Sequence, residues 1–321
     1  MPQRPVLLQA LSLTPMLERG LAEAYEIHKL PPPGPERAAY LAERGPQFEG
    51  LVTSAAHGAD AALIAALPRL RVISSFGVGL DKLDVAAAAK RGIPVGYTPD
   101  VLNDCVADMG FALLLAVARR ISEGERHVRG GRWAAAAGTP ATTSFPLGRQ
   151  VSGAKLGILG LGRIGRTIAR RASGFDMEVR YHGRRPVADA PWQYEPSLLE
   201  LARWSDFLVV ITAGGAETRH LVNAEVLDAL GPQGYLVNVA RGTVIDEAAL
   251  VRALQEKRIA GAGLDVFEHE PNVPPELFTL DNVVMTPHIA SATVQTREAM
   301  GQRVLDNLAA FFQGKPLPSA A

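Results

Sequence analysis

The chain has 321 residues, 47% of them hydrophobic and 21% charged, a length and composition suited to two packed domains. Lysine plus arginine equals aspartate plus glutamate at 33 each, so no overall field recommends nucleic acid or a membrane surface as a partner. Cys105 is the single cysteine, which excludes an intramolecular disulfide and suits a reducing, cytoplasmic compartment.

The start of the chain, Met1-Pro2-Gln3-Arg4-Pro5, leads into a short apolar run and then Pro15, without the apolar core of a signal peptide. The longest apolar stretch, Phe111 to Ala118, is far short of a membrane span. Strand patterns at 5–9, 50–53, 71–75 and 94–96 alternate with helix patterns at 14–23, 35–44, 59–66 and 85–91. Alternation of this kind predicts a parallel sheet covered by helices on both faces. The proline run Pro31-Pro32-Pro33-Gly34-Pro35 reads as a stiff surface connection.

A long apolar helix is expected over 103–120, followed by a loop excursion from Gly130-Gly131-Arg132-Trp133 to Pro146. A second α/β unit then offers strands at 155–159, 178–182, 207–212, 235–239, 261–264 and 283–286. The last stretch, 291–313, reads as one helix with Ser291 as its N-cap and Gly314 as its stop. The first unit is short of one covering helix, so this last helix is expected to return to it. The expected architecture is therefore α/β with two doubly wound parallel-sheet domains. A Rossmann cofactor domain, 102–287, is inserted in a flavodoxin-like substrate domain made of 1–101 and 288–321.

Between the first strand of the second unit and its helix stands Gly160-Leu161-Gly162-Arg163-Ile164-Gly165. In the order strand, G-x-G-x-x-G, helix, the glycines permit a tight turn and close approach of backbone to a pyrophosphate, and the helix N-terminus holds the phosphates. A Gly-rich structural turn is the plainer alternative. The next strand ends in His182-Gly183-Arg184-Arg185-Pro186, with no acidic residue until Asp189. A carboxylate at this place usually holds the ribose hydroxyls of NAD. Its absence, with Gly183, Arg184 and Arg185 in the turn, favours the 2′-phosphate of NADP(H) and leaves NAD(H) possible. The competing reading makes both arginines solvated surface residues. Arg166, Arg170 and Arg171 are read as the wet face of the preceding helix.

Reduction of a ketone by hydride needs a polarised carbonyl, a proton for its oxygen and an anchor for the substrate charge. Histidine suits the proton role, a neighbouring carboxylate can orient it, and arginine grips a carboxylate with two parallel bonds. Of the seven histidines, His288 follows a strand in Met285-Thr286-Pro287-His288-Ile289, where α/β folds place ligands. From position alone it is either catalytic or a structural histidine at a hinge. Two other segments share this placement: Val237-Asn238-Val239-Ala240-Arg241-Gly242, and Gly263-Leu264-Asp265-Val266-Phe267-Glu268 running on to His269-Glu270-Pro271.

These segments resemble the D-isomer-specific 2-hydroxyacid dehydrogenases, which share N-x-x-R-G, D-V-x-x-x-E-P and P-H-x-x-x-x-T signatures. The matching residues are Asn238 with Arg241-Gly242, Asp265-Val266 with Glu270-Pro271, and Pro287-His288 with Thr293. Compatible stretches at Phe76 to Asp81, Thr98 to Leu102 and Glu217 to His220 carry the resemblance from about residue 50 to the end. The resemblance implies that Arg241 binds the substrate carboxylate and carbonyl, that His288 gives the proton, and that Glu270 pairs with His288. It further implies that the N–H groups of Val78 and Gly79 hold the carboxylate and that Arg163 and Ile164 lie on the pyrophosphate. Thr212, Ala240 and Asp265 would line the nicotinamide, and no metal is called for. Glu268 and His269 receive no special role.

Within the family, the turn at 181–186 and the segment 147–165 look most like NADP-dependent glyoxylate/hydroxypyruvate reductases, a group that Thr142-Thr143-Ser144-Phe145 also resembles. The implied activity is reduction of a small 2-oxo acid, glyoxylate or hydroxypyruvate, to the 2-hydroxy acid by a homodimer. The small residues Ala55, Ala56 and Gly58 keep open a bulkier acid such as hydroxyphenylpyruvate or 2-ketogluconate. A dinucleotide-sensing corepressor of the same fold is the alternative of another class. The homodimer rests on the resemblance and on the apolar helix with its excursion. There Trp133 either reaches a neighbouring subunit's site, as an aromatic in this group can, or packs at the dimer interface. The segment Ala213-Gly214-Gly215-Ala216 departs from the usual proline-containing loop of the family.

Overall fold

The computed structural model describes residues 4–140 and 144–321, so Thr142 and Thr143 of the stretch singled out above lie outside the described residues. The chain forms two compact units. One comprises the chain up to Leu102 together with Ala292–Ala321, and the other is Asn103–Ser291. Both are parallel α/β sheets, as the alternating patterns predict.

The first sheet contains β1 (Val6–Gln9), β2 (Glu26–Lys29), β3 (Gly50–Ser54), β4 (Val72–Phe76) and β5 (Val95–Gly96), in the order β2-β1-β3-β4-β5. All four pairings are parallel, which makes this the flavodoxin-like order. β3 and β4 are buried along their whole length. They are covered on both sides, so they read as short apolar runs rather than alternating ones. β2 is a strand absent from the sequence expectation. Glu-Ile-His-Lys is a polar edge strand, fixed in register with Val6 opposite Glu26, and charge on an edge discourages pairing with another chain.

The helix Val294–Phe312 packs against β4, β5 and the helix Pro15–Ala24. Its cap is Thr293, whose Oγ1 accepts from Thr296 N at 3.2 Å, and not Ser291 as expected. In the chain before it, Ile289 and Ala290 donate their N–H groups to the Asp265 carboxylate at 2.8 Å each. Asn307 is fully enclosed on this helix. Its Nδ2 donates to Tyr97 O at 3.2 Å and its Oδ1 accepts from Ser319 N at 3.1 Å, tying the tail to β5.

The second sheet contains β6 (Lys155–Leu159), β7 (Glu178–His182), β8 (Gln193–Tyr194), β9 (Phe207–Val210), β10 (Tyr235–Asn238), β11 (Gly261–Leu264) and β12 (Val283–Met285). The order is β12-β11-β10-β9-β6-β7-β8, all parallel. The winding reverses between β6 and β9, and the C-terminal ends of strands flanking such a reversal are where this class of fold receives ligands. β8 is a second strand absent from the sequence expectation.

The helix Asn103–Ala118 buries Val106, Phe111, Leu113, Leu114 and Val117 against β10, β11 and the helix Arg163–Ala172 of its own unit. Its apolarity is thereby accounted for without a second subunit, which removes it as an argument for dimerisation. Large exposed apolar side chains lie beyond it instead, at Ile121, Val128, Trp133 and Leu147, with Trp133 62% exposed. The expected loop excursion from Gly130 is partly helical, with a short helix at Arg132–Ala135, and a further helix, Ile121–Arg129, precedes its two glycines. No helix among the described residues is long and apolar enough to cross a membrane.

Candidate active site

The glycine turn joins β6 to the helix Arg163–Ala172. Gly160 has φ +106, and a Cβ there would lie 2.8 Å from the Thr212 backbone. A Cβ on Gly165 would collide with the Gly160 carbonyl, so this residue brings the helix close onto the strand. Gly162, the N-cap, is different: a Cβ there would meet nothing within 4 Å. The outer two glycines are thus required by the protein, and the middle one leaves space beside the first helical turn. That turn begins with Arg163 and Ile164, and its N–H groups suit an anion. The residues present therefore fit a dinucleotide, with Thr212 facing the turn.

The turn after β7 is braced at both ends. Val187 N donates to Tyr181 Oη at 2.9 Å, and Tyr194 Oη donates to Gly183 O at 3.1 Å. β8 supplies Tyr194, and Arg166 Nη2 reaches Ala188 O at 3.4 Å. Arg184 and Arg185 project from this braced turn into solvent. Arg184 Nη1 meets Glu217 Oε2 at 3.2 Å, both side chains being strongly exposed. An acidic group thus reaches the turn through space although none stands in it by sequence. Arg171 is more than a wet face, since it pairs with Asp104 at 3.1 Å and Asp108 at 2.8 Å on the neighbouring helix.

Arg241, Glu270 and His288 stand just beyond the ends of β10, β11 and β12. The bend at Arg241 is made by Asn238, whose Oδ1 accepts from Ala240 N and whose Nδ2 donates to Arg241 O, both at 3.0 Å. Gly242 then presses on the next loop, where any Cβ would collide with the Phe267–Glu268 backbone. Arg241 Nη1 donates to the carbonyl of Ala240, itself buried, at 2.8 Å. Asp265 is wholly buried and organises the third segment: its Oδ1 accepts from Thr286 Oγ1 at 2.6 Å, besides the N–H groups of Ile289 and Ala290 noted above. His288, held in this loop with φ +53, donates from Nδ1 to Glu270 Oε2 at 2.8 Å. Glu270 Oε1 accepts from Phe267 N at 3.1 Å. Val78 and Gly79 follow β4 in the other unit, half-buried, and their part rests on the resemblance alone.

Burial pushes the Glu270 carboxyl up, but the hydrogen bond and charge of His288, the Phe267 N–H and the charge of Arg241 outweigh it and hold it below the usual range. A carboxyl depressed in the fold stabilises it above the unfolded value, about 4.3, and that contribution is lost as pH falls through the folded value. The stability difference between the parent protein and Glu270→Gln, read by urea denaturation, is expected at pH 7 and should shrink below about pH 4. A difference that grew on acidification would contradict this placement.

Sequence reasoning passed over Glu268, which the structure finds paired with Arg219 and His220. The signal lay in Glu217-Thr218-Arg219-His220, noted only as a compatible stretch. Among the described residues no group of three or more His, Cys, Asp or Glu side chains is placed to hold a metal ion.

Comparison with known proteins identifies the family. Residues 111–290 match the family model described as D-isomer specific 2-hydroxyacid dehydrogenase, NAD binding domain. The chain is 47% identical over 283 residues to hydroxyphenylpyruvate reductase of Plectranthus scutellarioides, covering 88% of each. It is 43% identical over 317 residues to 2-ketogluconate reductase of Gluconobacter oxydans, covering 99% of this chain and 98% of that one. The solved structure of an NADPH-dependent glyoxylate/hydroxypyruvate reductase from Sinorhizobium meliloti, in complex with NADP and malonate, is similar with TM-score 0.91 and 42% identity, covering 99% and 97%. With its dinucleotide turn and the Arg241, Glu270 and His288 set at adjoining strand ends, the chain belongs to the D-isomer specific 2-hydroxyacid dehydrogenases, a family of oxidoreductases.

Proposed function

We propose that this protein reduces a small 2-oxo acid, glyoxylate or hydroxypyruvate, with NADPH, giving D-glycerate from the latter. The observation that carries the reading is the 2.8 Å bond between His288 Nδ1 and Glu270, with the charge of Arg241 felt at the same carboxylate. When bound, the dihydronicotinamide supplies the hydride. Arg241 receives the substrate carboxylate on its planar donors and draws the carbonyl toward positive charge. His288 has its Nδ1 hydrogen committed to Glu270, which leaves Nε2 as the nitrogen that gives a proton to the carbonyl oxygen. Glu270 sets the plane of the ring and offsets the imidazolium charge before transfer. Asp265 acts from below, holding the loop that carries His288 and closing the nicotinamide side with Thr212 and Ala240.

The choice of NADPH is supported by the braced turn bearing Arg184 and Arg185. The exposed apolar residues Ile121, Val128, Trp133 and Leu147, in and around the excursion, are the surface we assign to a homodimer. Glyoxylate, hydroxypyruvate, hydroxyphenylpyruvate and 2-ketogluconate, each tried with NADPH and NADH, test the whole reading. Hydroxypyruvate with NADPH is expected to be the fastest pairing among them, with NADH clearly poorer. In the Arg184→Ala/Arg185→Ala variant the NADPH preference should fall by about 30-fold, a loss of about 2 kcal/mol. Equal rates with the two cofactors in the parent protein would remove the two arginines from cofactor choice. A clear lead for a bulkier acid would move the substrate to that class.

A further inference from the structure

The loop after β11 carries three carboxylates, Asp265, Glu268 and Glu270, and the reaction proposed above employs only the last in proton transfer. Glu268 is the least expected of them, because its side chain is only 8% exposed. A carboxylate so enclosed is costly unless paired. Its partners come from elsewhere in the same unit. Oε1 accepts from Arg219 Nη2 at 2.6 Å and from His220 Nε2 at 2.8 Å. The backbone N–H of Glu268 donates to Glu247 Oε1 at 3.1 Å. Burial raises the Glu247 carboxyl against the pull of that N–H, with the charges of Glu268 and Glu270 adding to the rise and His269 opposing it.

Arg219 and His220 belong to the segment between β9 and the helix Ala224–Leu230. That segment is laced to the turn after β10: His220 N donates to Thr243 O at 2.8 Å, Val222 N to Val244 O at 3.0 Å, and Asp246 N to Val222 O at 3.0 Å. Three strand-end loops therefore converge on Glu268. One carries Arg241 and another carries Glu270, two residues further along.

We infer that Glu268 is a positioning residue for the His288–Glu270 pair: its ion pair with Arg219 and His220 locks the loop after β11 to the loops after β9 and β10. The lock fixes where Glu270 meets His288 relative to Arg241. This inference rests on the reduction proposed above for the meaning of a rate, and on the geometry alone for the pairing.

The test reads a rate and a spectrum. With hydroxypyruvate and NADPH, Glu268→Ala is expected to lower kcat about 10-fold and Arg219→Ala, at an exposed position that spares the fold, about threefold. The KM for NADPH should stay within about twofold in both, since neither side chain is assigned a contact with the cofactor. In a Glu270→Gln background Glu268→Ala should change kcat by less than about twofold, because its effect passes through Glu270. A general folding defect would act alike in both backgrounds. In proton NMR of the whole enzyme, the downfield Nδ1–H of His288, identified by its loss in His288→Asn, should weaken in Arg219→Ala and vanish in Glu268→Ala. An unchanged resonance with unchanged kcat in Glu268→Ala overturns the inference, and so does an equal loss of kcat in both backgrounds. A parent protein that reduced no 2-oxo acid would refute the functional reading, and the resonance would then decide the positioning role by itself.

Discussion

Replacing His288 by asparagine is expected to lower kcat for hydroxypyruvate reduction by about a thousandfold, some 4 kcal/mol of transition-state stabilisation. NADPH binding, followed by quenching of protein fluorescence, should change by less than about threefold. Asparagine is the apt replacement for a backbone reason. His288 sits at φ +53, a left-handed conformation in which asparagine is among the few residues readily found. Its amide can still donate to Glu270, so the loop tied down by Asp265 keeps its shape. What the variant lacks is a titratable proton at the place of Nε2. Turnover that survived the change would take the proton-donor role away from His288.

Arg241→Ala is expected to lower kcat/KM by about a thousandfold, with kcat itself down by about 30-fold or more. A group that only anchored the carboxylate would raise KM and leave the rate at saturation alone. Arg241 is assigned a second task, because the carbonyl gains negative charge as it is reduced and a nearby guanidinium answers that change. Arg241→Lys keeps the charge but loses the planar fork, so it should recover only part of the loss. Steady-state kinetics over a full hydroxypyruvate range separates the two tasks. An unchanged kcat in Arg241→Ala would reduce the residue to an anchor.

Legibility in the sequence followed how local the determinant was. The glycine turn was readable because each outer glycine answers a constraint imposed within a few residues of chain or on the adjoining strand: Gly160 a positive φ beside Thr212, Gly165 the Gly160 carbonyl. β6 and β11 declared themselves as short apolar runs and β7 by its alternation of polar and apolar residues. β2 and β8 did not, because a polar four-residue edge and a two-residue strand carry no periodic signal of their own. The helix cap was misplaced because Ser291 and Thr293 are equivalent cap formers. The structure uses Thr293, whose Oγ1 accepts from Thr296 N. Distance in sequence hid Glu268, whose partners lie almost fifty residues away.

Gly242 has a consequence for how such an enzyme can change over time. The turn bearing the arginine rests on the neighbouring loop through backbone against backbone, with no side chain between them to resize. Any single replacement at this glycine forces the two loops apart and takes Arg241 out of step with Glu270. Mutational drift therefore has no gradual route through Gly242 itself by which to shift the spacing between substrate anchor and proton source. At this glycine the contact between the two loops is kept whole or lost, and any adjustment of the spacing has to come from other positions.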